Sequence, residues 1–150
     1  MARDSSAVRY MPVANDVIRI RTKAKDEIVD ITSEVNASVS RSGIRDGIAC
    51  VFVPGSTAAV TTIEHEPGLV SDMHDAMDRL YPKGIAYEHH ARWGDGNGHS
   101  HIRASLIGPS VTVPVKDGAL VLGTWQQVVF MELDVRPRDR DVVVQVVGER

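Results

Sequence analysis

The chain alternates between two hydrophobic periods, and this succession limits the folds that it can adopt. Alternating or continuous β-prone runs occur in DVIRIRT, GIACVFVP, SVTVPV and VVVQVVGE, and such runs predict strands. A period of three to four residues in DEIVDITSEVNASVSRSG predicts a helix that ends at Gly43. A second helix is predicted from Pro67 to Pro82. Because helices and strands do not alternate regularly, we expect an α+β fold with two main helices.

Length and composition favour a single globular domain. The chain has 150 residues, of which 43% are hydrophobic and 25% are charged, and this suffices for a core without covalent cross-links. We predict one domain over residues 1–150, with an extended arm at residues 1–14, where no period is visible. The run ALVLGTWQQVVFMEL is long enough for one bent strand or two.

Charge, hydropathy and cysteine content exclude several classes of protein. A formal net charge of −3 is unlike that of a chain that binds nucleic acid or an anionic membrane. No apolar stretch reaches the length of a membrane-spanning helix, and the first residues lack the apolar core of a signal peptide. The single cysteine, Cys50, lies in an apolar run and suits a reducing compartment. We expect a soluble cytoplasmic protein.

Four of the six histidines lie in one short segment, YEHHARWGDGNGHSH. In an extended backbone, residues two positions apart point to the same side, so we expect His99 and His101 to converge. A catalytic zinc uses three protein ligands, and either His89 or His90 can supply the third. The glycines permit a tight reversal of the chain. Asp95 can bind the metal directly or orient a histidine ring.

Polar residues outside the histidine segment can complete a site. Ser56 and Thr57 follow Gly55 at a strand end, where they either hold an anionic group or cap a turn. Glu64 lies in a β-like run, either on an exposed face or turned inward toward the histidines. These residues are candidates for substrate binding and for proton transfer.

The element GTWQ places two more polar side chains together. Thr124 and Gln126 flank Trp125, so in a strand they share one side and the indole takes the other. Such an indole is expected in core or interface packing. Thr124 and Gln126 are candidates for contacts with a substrate.

Three sequence elements, in order, resemble the YjbQ family, which is described as secondary thiamine-phosphate synthases. They are Y-x-H, D-G-N-x-H-x-H-I-[KR]-A-S-L and G-T-W-Q, and the similarity runs from about Ile48 to Glu149. The resemblance implies an α+β domain with a mixed β-sandwich core, assembled as a homotrimer. It also implies a site near the subunit boundaries that binds a divalent metal through histidines. Three neutral histidines suit zinc better than magnesium.

The resemblance assigns a role to each matching residue. The implied metal ligands are His89, His99 and His101. The implied acid/base or orienting groups are Asp95 and Glu64. The implied substrate contacts are Ser56, Thr57, Arg103, Thr124 and Gln126. The chain departs from the family pattern at Gly55, where many members have a histidine; this protein either does without that histidine or recruits His65 or His90 in its place.

The activity that the resemblance implies joins a pyrimidine pyrophosphate to a thiazole phosphate and releases pyrophosphate. We therefore expect a metal-dependent transferase that acts on a phosphorylated small molecule, with this synthesis as a secondary activity. One alternative is a zinc-dependent hydrolase, whose metal-bound water attacks an unidentified substrate. The other is a trimeric protein without turnover, which holds a metal or another ligand.

Overall fold

The computed structural model describes residues 10–23 and 26–150. Its strands are β1 (Val13–Arg21), β2 (Ile28–Asp30), β3 (Asp46–Phe52), β4 (Ala58–Ile63), β5 (Ser110–Lys116), β6 (Ala119–Leu120), β7 (Gln127–Glu132) and β8 (Asp139–Glu149). Its helices are α1 (Thr32–Ser42), α2 (Pro67–Leu80), α3 (Glu88–Trp93) and α4 (Gly98–Ile107). The elements form an α+β domain, as predicted.

The strands form two antiparallel sheets. The larger sheet has the order β1-β8-β3-β5-β6, and the smaller has the order β2-β7-β4. Val51 and Val144 of the larger sheet share one buried cluster with Phe130 of the smaller sheet and Val35 of α1. The main core therefore lies between the sheets and under α1, and its apolar burial is the principal stabilising contribution to the fold.

Helix α1 begins later than the hydrophobic stripe predicted. Ile28 lies in β2, where it pairs with Met131 of β7, because the short strand precedes the helix without a break in the apolar pattern. From Ile31 onward the prediction is right, since Ile31 and Val35 are fully buried. Gly43 ends the helix with φ +68°, a conformation that glycine adopts at little cost.

Helix α2 forms as predicted and leads to the site. Pro67 is its first residue, and the Glu66 side chain accepts hydrogen bonds from the first free backbone N–H groups, which caps the helix. Met77 joins a second buried cluster with Ala104 of α4 and Met131 of β7. This cluster fixes α2 and α4 against the smaller sheet.

Two predictions about irregular segments are corrected by the structure. The predicted arm falls mainly on residues 1–9, which lie outside the described residues, and Val13 and Ala14 already belong to β1. The histidine segment is helical on both sides of its glycine loop instead of extended. Among the helices described, none is long and apolar enough to cross a membrane.

Candidate functional site

The histidine segment folds as a helix–loop–helix unit made of α3 and α4. Gly94 and Gly96 adopt φ values of +70° and +68°, which side chains other than glycine seldom accept. At Gly98, a Cβ atom would lie 2.7 Å from the Cβ of Tyr87, so glycine alone lets the loop pack this closely. The predicted reversal of the chain is present, but it joins two helices.

The two histidines of the H-x-H element point to different sides of α4. Helical residues two positions apart differ by about 200° in direction, in contrast to their common direction in a strand. His99 is 3% exposed, and its ring lies 6.4 Å from that of Tyr87. His101 is partly exposed, and its ring lies 4.4 Å from that of His89. The expected convergence of His99 and His101 is therefore wrong.

Four polar residues gather where α3, the glycine loop and α4 meet. We call His89, Asp95, Asn97 and His101 the α3–α4 cluster. His89 Nε2 lies 3.5 Å from Asp95 Oδ1. With its amide nitrogen turned toward them, Asn97 donates to Asp95 Oδ1 at 2.9 Å and lies 3.1 Å from His89 Nε2. Asn97 is only 7% exposed, so a buried side chain holds Asp95 and His89 in this arrangement.

His99 belongs to the interior of the domain. Burial lowers the pKa of its imidazole, and the positive charges of Arg103 and Lys83 lower it further. Its Nδ1 atom and the Ser100 hydroxyl are buried without a hydrogen-bond partner among the described residues. Because its pKa is lowered, the His99 ring is neutral in the core.

Arg103 is a structural residue in this fold, which corrects its assignment as a substrate contact. Its side chain is 1% exposed. Nη2 donates to the carbonyls of Tyr81 and Met77 at 2.7 and 3.2 Å, and to Asp78 at 2.8 Å. The guanidinium thus closes the C-terminal end of α2, where free carbonyls and the helix dipole favour a cation.

A buried network supports the loop that carries Ser56 and Thr57. The Thr57 hydroxyl accepts from Arg140 Nη2 at 2.9 Å and donates to Asp134 Oδ2 at 3.3 Å. Arg140 also pairs with Glu132, at 2.6 Å between Nη2 and Oε1, and the Glu132 side chain is fully buried. The Thr57 hydroxyl already donates and accepts within this network, so Thr57 positions the loop instead of facing a ligand.

The site residues predicted from the sequence do not include the acidic members of this network, although one signal points to them. Glu132 and Asp134 lie in the apolar run VVFMELD, and a carboxylate in such a run requires a buried partner. Burial raises the pKa of Asp134, but hydrogen bonds from the Val135 N–H and from Arg138 outweigh it, so the net pKa is lowered. The partner arginines, Arg138 and Arg140, come from the charged segment RPRDRD.

Ser56 lines a small open cavity beside α4. The cavity has a volume of about 210 Å³, and Gly55, Ser105 and Pro109 also line it. The Ser105 hydroxyl donates to the His101 carbonyl at 2.7 Å, one helical turn from the α3–α4 cluster. The structure therefore brings Ser56 to the same side of α4 as His101.

Three predicted site residues lie at the other end of β4. Glu64, Thr124 and Gln126 are all exposed, and Gln126 Nε2 donates to Thr62 at 3.0 Å. Ser56 precedes β4, whereas Glu64 follows it, and a strand of six residues spans roughly 20 Å. Within one chain, these residues do not join the α3–α4 cluster. Trp125 is 71% exposed, which excludes core packing.

Neither candidate replacement for a histidine at residue 55 contacts that position. His65 Nε2 lies 3.2 Å from the Ile28 carbonyl, and His90 Nε2 accepts from the Gly98 N–H at 2.9 Å. At Gly55 itself, a Cβ atom would lie 3.1 Å from Arg140 Nη1. The loop therefore fits closely over Arg140, where a larger residue would have to displace the guanidinium.

The implied ligands do not form a metal site as the described residues are placed. His99 lies in the core, on another side of α4 from His89 and His101. Over residues 10–23 and 26–150, no group of three or more His, Cys, Asp and Glu side chains is arranged to hold a metal ion. The residues present do not fit the implied zinc centre. The identity of a cation and the homotrimer remain predictions from the resemblance.

Comparison with known proteins places these features in a family. The model of the family described as UPF0047 protein YjbQ-like matches residues 16–149. A UPF0047 protein of Methanothermobacter thermautotrophicus is 42% identical over 140 residues, which cover 93% of this chain and 96% of that protein. The UPF0047 protein YugU of Bacillus subtilis is 38% identical over 133 residues, which cover 87% of this chain and 97% of that protein.

Solved structures agree with the sequence matches. A YbjQ-like protein of unknown function from Sulfolobus solfataricus superposes with a TM-score of 0.88 at 37% identity, over 93% of this chain and all of that chain. A protein of the YjbQ/UPF0047 family from Clostridium acetobutylicum superposes with a TM-score of 0.81 at 39% identity, over 87% of this chain and 98% of that chain.

These matches correct the predicted activity. Neither the family description nor the names of these relatives include thiamine-phosphate synthesis, and the Sulfolobus protein is described as having unknown function. The described residues also lack the metal site on which the prediction depended. The expected metal-dependent, thiamine-phosphate-synthase-like function is therefore wrong, and its zinc-based alternatives lose their ligand set.

Proposed function

The chain belongs to the YjbQ-like family of UPF0047 proteins, and from its geometry we propose an enzyme that binds a small phosphorylated molecule and transfers protons at the α3–α4 cluster. The pairing of His89 with Asp95, at 3.5 Å, carries this proposal. A histidine beside a carboxylate that orients it is the most common general acid or base in enzymes. Asn97 contacts both groups and limits their freedom.

The cluster is open to small solutes. The side chains of His89 and Asp95 are 32% and 44% exposed, whereas the Asn97 beneath them is buried. His101 adds a second imidazole, with a ring-to-ring distance of 4.4 Å from His89. Two imidazoles and a carboxylate on one exposed surface can give a proton to one atom of a bound molecule and take a proton from another.

The neighbouring cavity supports phosphate as the recognised group. Ser56 and Ser105 line it, and serine hydroxyls with backbone amides at a strand end bind phosphate oxygens; Ser105 does so by exchanging its bond to the His101 carbonyl. Arg140 approaches the loop from beneath, since its Nη1 is the nearest atom to a Cβ built at Gly55. The buried bonds of Thr57 hold this loop in one position, and such preorganisation favours binding.

Binding is tested with inorganic phosphate as the probe. We expect phosphate to shift the NMR signals of the His89 and His101 ring C–H groups in the full chain, because the cavity lies one turn from His101. The double variant Ser56→Ala, Ser105→Ala should weaken this effect at least tenfold. Ser33→Ala, an exposed serine on α1, is the matched control. Unshifted ring signals, or equal affinity in the double variant, would contradict phosphate recognition.

Proton transfer is tested with a panel of phosphorylated small molecules, followed by NMR for new products or for exchange of C–H protons with D₂O. We expect at least one to react, and both His89→Asn and Asp95→Asn to slow it by about 10²-fold or more. His65→Asn, an exposed histidine at the far end of β4, should keep the wild-type rate. If His89→Asn keeps that rate, or His65→Asn loses as much, the acid/base role is refuted.

A further inference from the structure

A small cavity lies between helix α1 and β1, the outermost strand of the larger sheet. It has a volume of about 160 Å³, and residues of β1, α1 and β8 line it. Because a water molecule occupies about 30 Å³ in the liquid, the cavity has room for about five waters or for one small organic molecule. It shares no residue with the α3–α4 cluster or with the cavity beside α4. A ligand bound here is therefore additional to the proposed substrate.

Strand β1 offers unpaired backbone groups beside this cavity. Among the described residues, β1 pairs with β8 alone. The Pro12 carbonyl accepts from the Gly148 N–H, and at the other end of β1 the Thr22 N–H donates to Arg138. Bonded positions alternate along an antiparallel pair, so the even-numbered positions of β1 bond to β8. Asn15, which lines the cavity, thus turns its backbone N–H and C=O away from β8.

An ionised carboxylate forms one wall of the cavity. Asp16 accepts hydrogen bonds from the Ser38 hydroxyl at 2.7 Å and from the Val17 N–H at 2.9 Å. Hydrogen bonds from Ser38 and then from Arg41 lower the pKa of Asp16 to about 2, so the group is charged at neutral pH. Ser38 is only 3% exposed and fixes the carboxylate from the interior. A carboxylate has about four acceptor positions, which leaves one for a ligand.

A guanidinium lies beside this carboxylate. Arg41 Nη2 donates to Asp16 Oδ2 and, at 3.3 Å, to the Ser38 hydroxyl. Within residues 10–23 and 26–150, the hydrogen bonds of this side chain run through Nη2. A guanidinium carries five N–H donors in a fixed fork, so the others can bind a second carboxylate. The Arg41 side chain is 64% exposed and can adjust to a ligand without leaving Asp16.

These two charges favour a ligand that carries both signs. A simple cation would compete with Arg41 for Asp16, and a simple anion would compete with Asp16 for Arg41. A zwitterion instead gives each side chain a further partner of opposite sign, so that the four charges alternate. The backbone C=O and N–H of Asn15 add one acceptor for an ammonium group and one donor for a carboxylate. An α-amino acid has these two groups on adjacent atoms.

The rest of the lining favours a short aliphatic side chain. Ala14, Val144 and Val146 complete the cavity, and both valines are fully buried. Their side chains have no hydrogen-bonding atoms, so a polar group placed against them would lose its bonds to water without replacement. A small apolar group loses nothing there and gains from the removal of its surface from water. The small volume excludes a large aromatic side chain.

We propose that this cavity binds a free α-amino acid with a short aliphatic side chain, whose ammonium group contacts Asp16 and whose carboxylate contacts Arg41. The test titrates the isotope-labelled full chain with l-alanine and follows the backbone amide signals by NMR. The signals of Asn15, Val17 and Ser38 should shift and reach saturation. Propionate lacks the ammonium group, ethylamine lacks the carboxylate and l-phenylalanine exceeds the cavity, so each should bind at least tenfold more weakly.

Matched variants separate binding from folding. Asp16→Asn and Arg41→Gln should each weaken l-alanine binding at least tenfold and keep the wild-type circular dichroism. Asp117→Asn and Arg45→Gln change an exposed ion pair elsewhere and should bind l-alanine as the wild type does. Because Arg41 is largely exposed, Arg41→Gln keeps the test decisive if Asp16→Asn unfolds. Unshifted signals in the wild type, equal affinity in Arg41→Gln, or binding of propionate or ethylamine as tight as that of l-alanine would overturn the proposal.

Discussion

Replacing Arg103 with alanine removes a buried cation, and solvent cannot replace the hydrogen bond of every partner that loses one. Its guanidinium donates to the Met77 and Tyr81 carbonyls at the end of α2 and to Asp78, and it also lies 3.5 Å from Asp26. The side chain of Asp26 is 16% exposed, whereas that of Asp78 is 56% exposed. Asp78 can therefore return to solvent, but the carbonyls and Asp26 would lose a partner in the interior.

The magnitude follows from these partners. Each hydrogen bond from a charged donor contributes about 1.5–3 kcal/mol, and removing one member of a buried pair costs about 3–5 kcal/mol. The exposed Asp78 adds little. We therefore expect Arg103→Ala to lower the free energy of unfolding by about 3–5 kcal/mol. For a domain of this size, that corresponds to a fall in Tm of roughly 6–20 °C.

Urea denaturation followed by circular dichroism measures this loss. Arg45→Ala is the control, because Arg45 pairs with Asp117 on the surface at 60% and 74% exposure, and it should change stability by no more than about 0.5 kcal/mol. Arg103→Lys keeps the charge without the planar fork, so it should fall between the two. A loss below about 1 kcal/mol for Arg103→Ala would refute the structural role and reopen its assignment as a ligand contact.

Three further predictions follow from single residues. Several hydrogen bonds, the largest from Ser38, lower the pKa of Asp16 from 3.8 to about 2. The stabilisation that ionised Asp16 provides is therefore present above pH 3.8 and lost as the pH falls toward 2. In Asp16→Asn, the urea midpoint should depend less on pH within that window than it does in the wild type. In Gly47→Ala, the new Cβ would lie 2.0 Å from the Val147 carbonyl, and calorimetry should show a loss of about 1–3 kcal/mol or more. Phe130 is fully buried, so Phe130→Ala should cost about 3–5 kcal/mol in urea. An unchanged pH profile or midpoint would contradict the respective reasoning.

The strands and the two long helices could be predicted because their hydrophobic periods persist over many residues. Helix α2 has a proline at its start, a stop beyond its end and an apolar face that includes Met77. The one error in α1, at Ile28, arose where a strand of three residues runs into the helix. Such a strand is too short to establish its own period.

The histidine segment was harder because its two helices are short and carry no clear apolar stripe. Helix α3 has six residues, none of them buried, and α4 leaves Ile102 and Leu106 exposed while it buries His99 and Arg103. This pattern is the reverse of the one that predicts an amphipathic helix. The bond between Thr57 and Arg140 joins positions 83 residues apart, and no local pattern encodes such a contact.

The spacing of one residue between His99 and His101 has a consequence for how α4 can change. In a helix, two histidines three or four residues apart would have both rings on one side, and both rings would then be either buried or exposed to solvent. The observed spacing gives the same helix one imidazole enclosed by protein and one open to dissolved molecules. Substitutions on the enclosed side should therefore appear in melting curves, and those on the open side in ligand titrations. A single turn of α4 thus carries one histidine, His99, that contributes to the stability of the fold and another, His101, that is accessible to ligands.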